Sequence, residues 1–328
     1  MNRDVRRKYA MGIASALVGG ALWGFSGTCS QYLFMHYDID ASFITMARML
    51  GSGVLFLALL LATRRTQVAE MVGDRKTLSG LIIFGVVGLF ACQYSYISSI
   101  GFTNAGTATV LQSLGTVWVM LASCLVARKA PRAGEAAGLV LALASTFIIA
   151  TQGDPTTIAL PAAGLFWGLV NSVTVAIYIM YPKLLMARWG SLPVTGLGML
   201  AGGIAALAFW AAPAAGGAAL SVPALDAAGL LVLAAIAVLG TFAAFALYLH
   251  GVSVVGSVTG SLLGAIEPAS ATVIAALWLG TSFTGFDWVG FVLMVSMIVL
   301  VSIPGKKPRK DAASTSSREA RAAEEGGE

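Results

Sequence analysis

The Lys and Arg residues of this 328-residue chain avoid almost all of its length. Between Tyr9 and Ile303 the sequence runs as ten apolar stretches of roughly 18 to 25 residues, the length an α-helix needs to cross a hydrocarbon core about 30 Å thick. Nineteen of the twenty Lys/Arg fall on one side of that zigzag. They precede the first stretch (Arg3, Arg6, Arg7, Lys8), follow the second (Arg64, Arg65, Arg75, Lys76), the fourth (Arg128, Lys129, Arg132) and the sixth (Lys183, Arg188), and cluster after the tenth (Lys306, Lys307, Arg309, Lys310, Arg318, Arg321). The exception, Arg48, lies inside a stretch. Cytoplasmic loops collect Lys and Arg, so the pattern predicts a multi-pass protein of the cytoplasmic (inner) membrane with both termini in the cytoplasm.

Composition points the same way, with 58% apolar and 11% charged residues, against about 25% charged in a soluble domain. The net charge of +5 follows from the topology and not from a basic face, so no nucleic-acid partner is expected. The run from Tyr9 to Phe34 is too long for a signal-peptide core and has no small-residue cleavage site at its end, so it reads as a retained first helix. Cys29, Cys92 and Cys124 all fall inside predicted helices without metal-ligand spacing and read as small apolar residues. No metal, disulfide or cofactor is expected.

The predicted spans are 9–34, 42–62, 78–100, 103–126, 134–151, 162–185, 193–211, 225–251, 255–279 and 286–303. After Pro304 a basic cluster gives way to Ala, Ser and Glu, a composition unable to bury apolar surface, so 305–328 is expected to be a disordered cytoplasmic tail. Lys306 to Lys310 are expected against anionic headgroups of the lipid bilayer.

Sliding the chain on itself reveals a repeat. At an offset of 144, Trp23-Gly24 falls on Trp167-Gly168; at 152, Tyr96 falls on Tyr248, Thr109 on Ser261, Leu111 on Leu263, Glu135 on Asp287 and Gly138 on Gly290. The halves, 1–152 and 153–304, read as five-helix copies. Five is odd, so the second copy enters the membrane upside down. Inverted repeats of this kind are built around a midplane site between halves that alternate access. The expected fold is therefore an all-α membrane protein of ten helices in two inverted five-helix repeats.

A Trp-Gly pair in the first helix (Trp23-Gly24), an Arg early in the second (Arg48), a small-residue stretch in the fourth (Ala105 to Thr109) and a Glu-Pro in the ninth (Glu267-Pro268) together resemble the tandem EamA-type repeats of the drug/metabolite transporter superfamily. The resemblance spans residues 10 to 303. It implies a secondary transporter, not an enzyme, with a central cavity lined by helices 1, 3, 4, 6, 8 and 9 and with helices 5 and 10 at the periphery. Thr116 stands where that pattern has Pro in the fourth helix, and Gly115 and Met199 stand opposite Glu267 and Arg48, so the halves are chemically unequal.

Two residues well inside the spans carry charge, Arg48 and Glu267, and a charge at membrane depth faces a partner, a cavity or water. Glu267 reads either as a proton carrier, because a poorly hydrated carboxyl has a raised pKa, or as a structural acceptor that caps backbone N–H groups near Pro268 or pairs with Arg48. Arg48, about 9 Å below the end of its helix at 1.5 Å per residue, reads as structural, snorkelling or in contact with a substrate carboxylate. Pro268 removes a backbone donor near the midplane, where broken helices expose polar backbone. The runs Gly256/Gly260/Gly264, Gly20/Gly24 and Gly134/Gly138 permit close helix contact, the last within the chain or in a homodimer.

Aromatic and amide side chains supply the cavity candidates. They are Gln93, Tyr94 and Tyr96 in the third helix, Gln112 and Trp118 in the fourth, and Tyr248 in the eighth. In the sixth helix Trp167, Asn171, Thr174 and Tyr178 follow steps of four, three and four, placing them on one face; Trp23 and Ser26 extend that surface from the matching first helix. Such a cage suits a zwitterion, or a cation with an apolar body. Trp167 and Tyr181 read equally as belt residues at the membrane surface.

No Walker-type Gly-Lys-Ser/Thr run is present, which removes ATP as a direct drive in this chain. Histidines at 36 and 250 supply no nucleophile, base or metal constellation, which argues against an intramembrane lipid-modifying enzyme. The expected activity is export of a small metabolite, an amino acid or a relative, by alternating access. A drug or lipid-carrier transporter of the same fold is the alternative.

Overall fold

The computed structural model describes residues 3–302 except 129, 132, 155–158, 257–259, 261, 262 and 265. The tail at 305–328 with Lys306 to Lys310, and Lys129, Arg132 and Ser261, fall outside the described residues. Within them every regular element is helical, as a bilayer requires of backbone groups that have no water to bond. Ten helices follow in chain order: α1 Arg3–His36, α2 Ala41–Gly73, α3 Arg75–Phe102, α4 Ala105–Val126, α5 Ala133–Thr151, α6 Ala162–Trp189, α7 Ser191–Ala215, α8 Ala227–Val255, α9 Ile266–Leu279 and α10 Gly285–Ser302. Seven are long and apolar enough to cross a membrane, and α5, α9 and α10 contain shorter apolar runs. An odd number of crossings in each half means that the second half starts from the opposite face of the bundle.

Polar residues set the helix starts. The side chains of Asp74, Asn104 and Asp226 accept from the backbone N–H of Lys76, Thr107 and Gly229, capping α3, α4 and α8. The expected second span ended at residue 62, but α2 continues to Gly73 past a non-helical Arg64 (φ −145°, ψ 35°). Its last turns lie at the face where α1 begins, here called the near face, mostly exposed but with Val68 and Met71 buried.

Irregularities within the helices follow the repeat as well. A π-helical turn interrupts α3 at Phe84–Phe90 and another interrupts α8 at Val238–Ala243; adding 152 to 84–90 gives 236–242, so the two largely overlap. The α4 helix breaks at Leu114. Neither feature has a Pro to announce it.

The helices pack across the two halves. The largest contacts are α2 with α7, α1 with α8, α5 with α10, α1 with α9 and α3 with α6. Exchanging the halves maps α2–α7 and α5–α10 onto themselves and α1–α8 onto α6–α3, so the packing has the symmetry of the repeat. Close approach of α2 and α7 depends on reciprocal glycines: a Cβ on Gly53 would lie 2.7 Å from Leu200 Cα, and one on Gly203 would lie 2.8 Å from Leu50 Cα. Met49, Phe56, Leu60, Phe84, Leu89 and Met199 fill the adjoining core. Gly20 and Gly24 face α9, Gly260 and Gly264 face α8, and Gly134 approaches Leu300 of α10, whereas Gly256 (φ +88°) ends α8 with no described residue within 4 Å of an added Cβ.

Two polar clasps tie the ends together. At the far face Tyr37 donates to Asp226 at 2.5 Å. At the near face Trp189 donates to Thr77 at 3.2 Å, Thr77 donates to Asp74 at 2.7 Å, and Arg188 pairs with Asp74 at 3.2 Å. The Arg188 guanidinium also sits 4.8 Å above the Trp189 ring. The hydrogen bond from Tyr37 pulls the Asp226 carboxyl below the usual range and pushes the Tyr37 phenol up to about 12; the bond from Thr77 lowers the Asp74 carboxyl.

Candidate functional site

A cavity of about 380 Å³ lies in the middle of the bundle. Its wall is built from both halves: Trp23 of α1, Arg48 of α2, Cys92, Gln93 and Tyr96 of α3, Gln112, Ser113 and Thr116 of α4, Tyr178 of α6, Phe245 and Tyr248 of α8, and Glu267 and Pro268 of α9. The lining continues through Val252, Gly264 and Ile298, which lie toward the near-face ends of their helices. Toward the far face Gln31 closes the packing, donating to Thr281 at 2.8 Å while its carbonyl accepts from Ala105 N–H at 2.9 Å. Tyr32 stacks there against His36 and Trp278.

Aromatic rings give the cavity its shape. Trp23 meets Phe245 edge to face at 4.9 Å between centroids and Tyr248 at 4.6 Å. Tyr178 sits between Phe84 and Phe245. The repeat mates Tyr96 and Tyr248 each secure the following helix, Tyr96 through a 2.8 Å hydroxyl contact with Thr109 and Tyr248 by donating to the Gly260 carbonyl at 3.0 Å.

The two charges stay apart. Arg48 is 2% exposed, and its Nε donates to Thr241 Oγ1 at 3.2 Å; that hydroxyl in turn donates to the Ile236 carbonyl within the π-turn of α8. Glu267 accepts from Gln112 Nε2 at 2.9 Å. Among the described residues Arg48 and Glu267 form no ion pair; of the alternatives open to Glu267, the Arg48 pairing is not seen, and each group has its own neutral partner. A guanidinium and a carboxyl group therefore line one cavity without a direct ion pair between them among the described residues.

The remaining candidates sit elsewhere. Only Tyr178 of the α6 stripe reaches the cavity. Asn171, fully buried, donates to the Cys92 carbonyl at 2.7 Å and to Ser95 at 3.3 Å, and Thr174 donates to the Asn171 carbonyl at 2.8 Å beside Ser95, so both serve the α3–α6 contact. Trp167 packs edge to face on Tyr94 at 5.3 Å, and Tyr94 on Phe209, in an aromatic group away from the cavity. Trp118 donates to Ser172 at 3.0 Å with its ring 44% exposed on the outer surface. Ser26 is buried against Gly240. Conversely, Cys92, Ser113, Thr116, Phe245 and Val252 line the cavity without having been singled out for it. The repeat carried the missing signal for Phe245, because adding 152 to Gln93, Gln112 and Thr116 gives Phe245, Gly264 and Pro268, all in the wall.

The sequence matches the EamA-like transporter family twice, over residues 10–151 and 162–303. The chain is similar to an uncharacterised inner membrane transporter, YicL, of Salmonella typhimurium, with 34% identity over 298 residues that cover 90% of this chain and 96% of that one. A solved crystal structure superposes with a TM-score of 0.60 at 17% identity, covering 88% of this chain and 96% of its own, which supports the fold alone. With both halves matched in order around one mid-bundle cavity, this chain belongs to the EamA-like transporter family and is a membrane transporter.

Proposed function

We propose that this transporter exports a small zwitterionic metabolite of the amino-acid class from the cytoplasm by alternating access between its two inverted halves. The observation that carries the reading is the cavity itself, lined by Arg48 and Glu267, which form no direct ion pair among the described residues, and by Trp, Tyr and Phe. Opposite charges on the cargo compensate both groups, and the rings accommodate its apolar body. The one-sided distribution of Lys and Arg supports assigning the near face to the cytoplasm, and the cavity lining extends toward that face. Far-face packing around Gln31 supports reading that side as the closed one. Glu267 is the carboxyl placed to couple transport to a proton.

The test is uptake of labelled amino acids into proteoliposomes, with and without an imposed pH gradient, for the wild type and Glu267→Gln. Uptake above empty liposomes, with a gradient response that the variant loses, is the expected result. Gradient-independent uptake would make the protein a facilitator and Glu267 structural, and no uptake across the panel would exclude amino acids as cargo.

A further inference from the structure

Two donors in the cavity wall have no acceptor. Arg48 Nη1 and Trp23 Nε1 are both buried and both lack a hydrogen-bond partner among the described residues, although both side chains line the cavity. Helix α8 brings them together. Thr241, which holds Arg48, and Phe245, which packs on Trp23, are four residues apart, and Gly240 lies against Ser26, three residues beyond Trp23.

A buried donor without an acceptor loses its hydration and gains nothing in return. An Arg side chain cannot shed its charge to relieve that loss. The acidic residue of the same cavity does not relieve it, because among the described residues Glu267 accepts from Gln112 and makes no hydrogen bond or ion pair to Arg48. Among the described residues nothing supplies that acceptor, and the charge of the guanidinium favours an anionic one, as a cargo would bring. Two N–H groups match the two oxygens of one carboxylate, and a single negative charge balances the single guanidinium. A phosphate dianion would leave an excess negative charge in a cavity that already contains Glu267.

Resting on the reading of this cavity as the transport site, we infer that Arg48 Nη1 and Trp23 Nε1 form the anchor for the carboxylate of the cargo, with Thr241 as its positioning residue. The Thr241 hydroxyl donates to the Ile236 carbonyl at 2.9 Å, which leaves its lone pairs for Arg48 Nε and fixes the guanidinium with Nη1 free. The π-turn that makes this bond available thereby serves recognition. Leu89, the residue 152 positions earlier, has no hydroxyl, so the first half lacks the device.

The experiment is equilibrium binding to the purified full-length chain in detergent, comparing phenylalanine with phenethylamine and leucine with isoamylamine, plus 3-phenylpropionate as a carboxylate without an ammonium. The wild type is expected to prefer each carboxylate-bearing partner by on the order of 10- to 100-fold, the worth of hydrogen bonds to a charged group. Arg48→Gln and Trp23→Phe shrink that ratio toward one, while Thr241→Val reduces it and Thr241→Ser restores it. If Arg48→Gln fails to fold, the Trp23→Phe ratio and the Val/Ser pair at 241 decide. Equal binding of amine and amino acid, ratios unmoved by these substitutions, or binding of no ligand would overturn the anchor. Arg48-dependent binding of 3-phenylpropionate without amino-acid transport would keep the anchor and reject the amino-acid reading. Amino-acid transport with a ratio near one would reject the anchor and keep the transporter reading.

Discussion

Tyr37 and Trp189 stand 152 positions apart and make the same kind of contact at opposite ends of the bundle. Each lies at the close of the first helix of its half and hydrogen-bonds to the opening turn of the third helix in the other half: Tyr37 to Asp226, and Trp189 to Thr77 beside Asp74. Asp74 and Asp226 are themselves 152 apart, and each caps its helix. Both clasps are closed while the cavity is present, so they fix the starts of α3 and α8 on either side of it. Most cavity residues of those helices, Cys92 to Tyr96 and Phe245 to Val252, lie beyond the π-turns, and Leu89 reaches the wall from within the first of them.

Removing either clasp is expected to lower thermal stability in detergent slightly, because Tyr37, Asp226, Trp189 and Asp74 are only partly buried or exposed, although Thr77 is buried. Tyr37→Phe and Trp189→Phe act at opposite faces with no shared partner, so their effects add in the double variant. Melting curves of the two single variants and the double variant check this; a loss in the double variant well beyond the sum would show that the clasps are coupled through the bundle.

The far-face clasp has a defined pH window. Asp226 is held below its ordinary range, so its contribution is present above the unfolded carboxyl value of about 4 and disappears as pH falls through the lower folded value. Tyr37 is pushed up to about 12, so its neutral form persists and the bond survives through mildly alkaline pH. The melting-temperature difference between wild type and Tyr37→Phe is expected to stay constant from about pH 5 to 9 and to close in acid below about pH 4. A difference that peaks near neutrality would assign the effect to another group.

Glycines separate contact from conformation in a measurable way. Gly53→Ala places a Cβ 2.7 Å from Leu200 Cα, so α2 and α7 must part, at about 1–3 kcal/mol as for other overpacked cores. At Gly73 nothing lies within 4 Å of the added Cβ, and Gly73→Ala is expected to be neutral or to stabilise by up to about 1 kcal/mol through helix propensity. Equal melting temperatures for the two variants would refute the tight α2–α7 approach.

Helix number, helix type and halving were legible because the bilayer leaves the chain few options: apolar length, Lys/Arg placement and an offset near 152 are all written in residue identity. Site geometry was only partly legible. Periodicity placed Trp167, Asn171, Thr174 and Tyr178 on one face of α6, but it does not say what lies opposite. Across most of that face lies α3, whose Cys92 carbonyl and Ser95 hydroxyl take up Asn171. The π-turns were invisible because Gly, Val, Leu, Thr and Phe serve α- and π-geometry alike. Asn171→Ala is accordingly expected to cost about 1–3 kcal/mol of stability through the unsatisfied groups it leaves, with ligand affinity in the folded fraction little changed. A large affinity loss without destabilisation would return Asn171 to the cavity.

Gln112 and Glu267 provide a direct test of how the cavity tolerates a negative charge. The Gln112 amide donates to Glu267 at 2.9 Å across the α4–α9 contact, and a hydrogen bond to a charged group is worth about 1.5–3 kcal/mol. Gln112→Leu deletes the donor and leaves the carboxylate facing apolar surface, so it is expected to destabilise by about that amount. Glu267→Gln removes the charge while keeping an amide oxygen to accept from Gln112, and is expected to destabilise less. Combining the two leaves a neutral side chain beside Leu, so the double variant should be more stable than the sum of the single effects predicts, by about 0.5–3 kcal/mol as for residues in contact. Unfolding measurements on the four proteins complete the cycle. Strict additivity would mean that the carboxylate draws its solvation from water in the cavity instead of from Gln112, and the two charges of the site would then be held apart by hydration and not by protein partners.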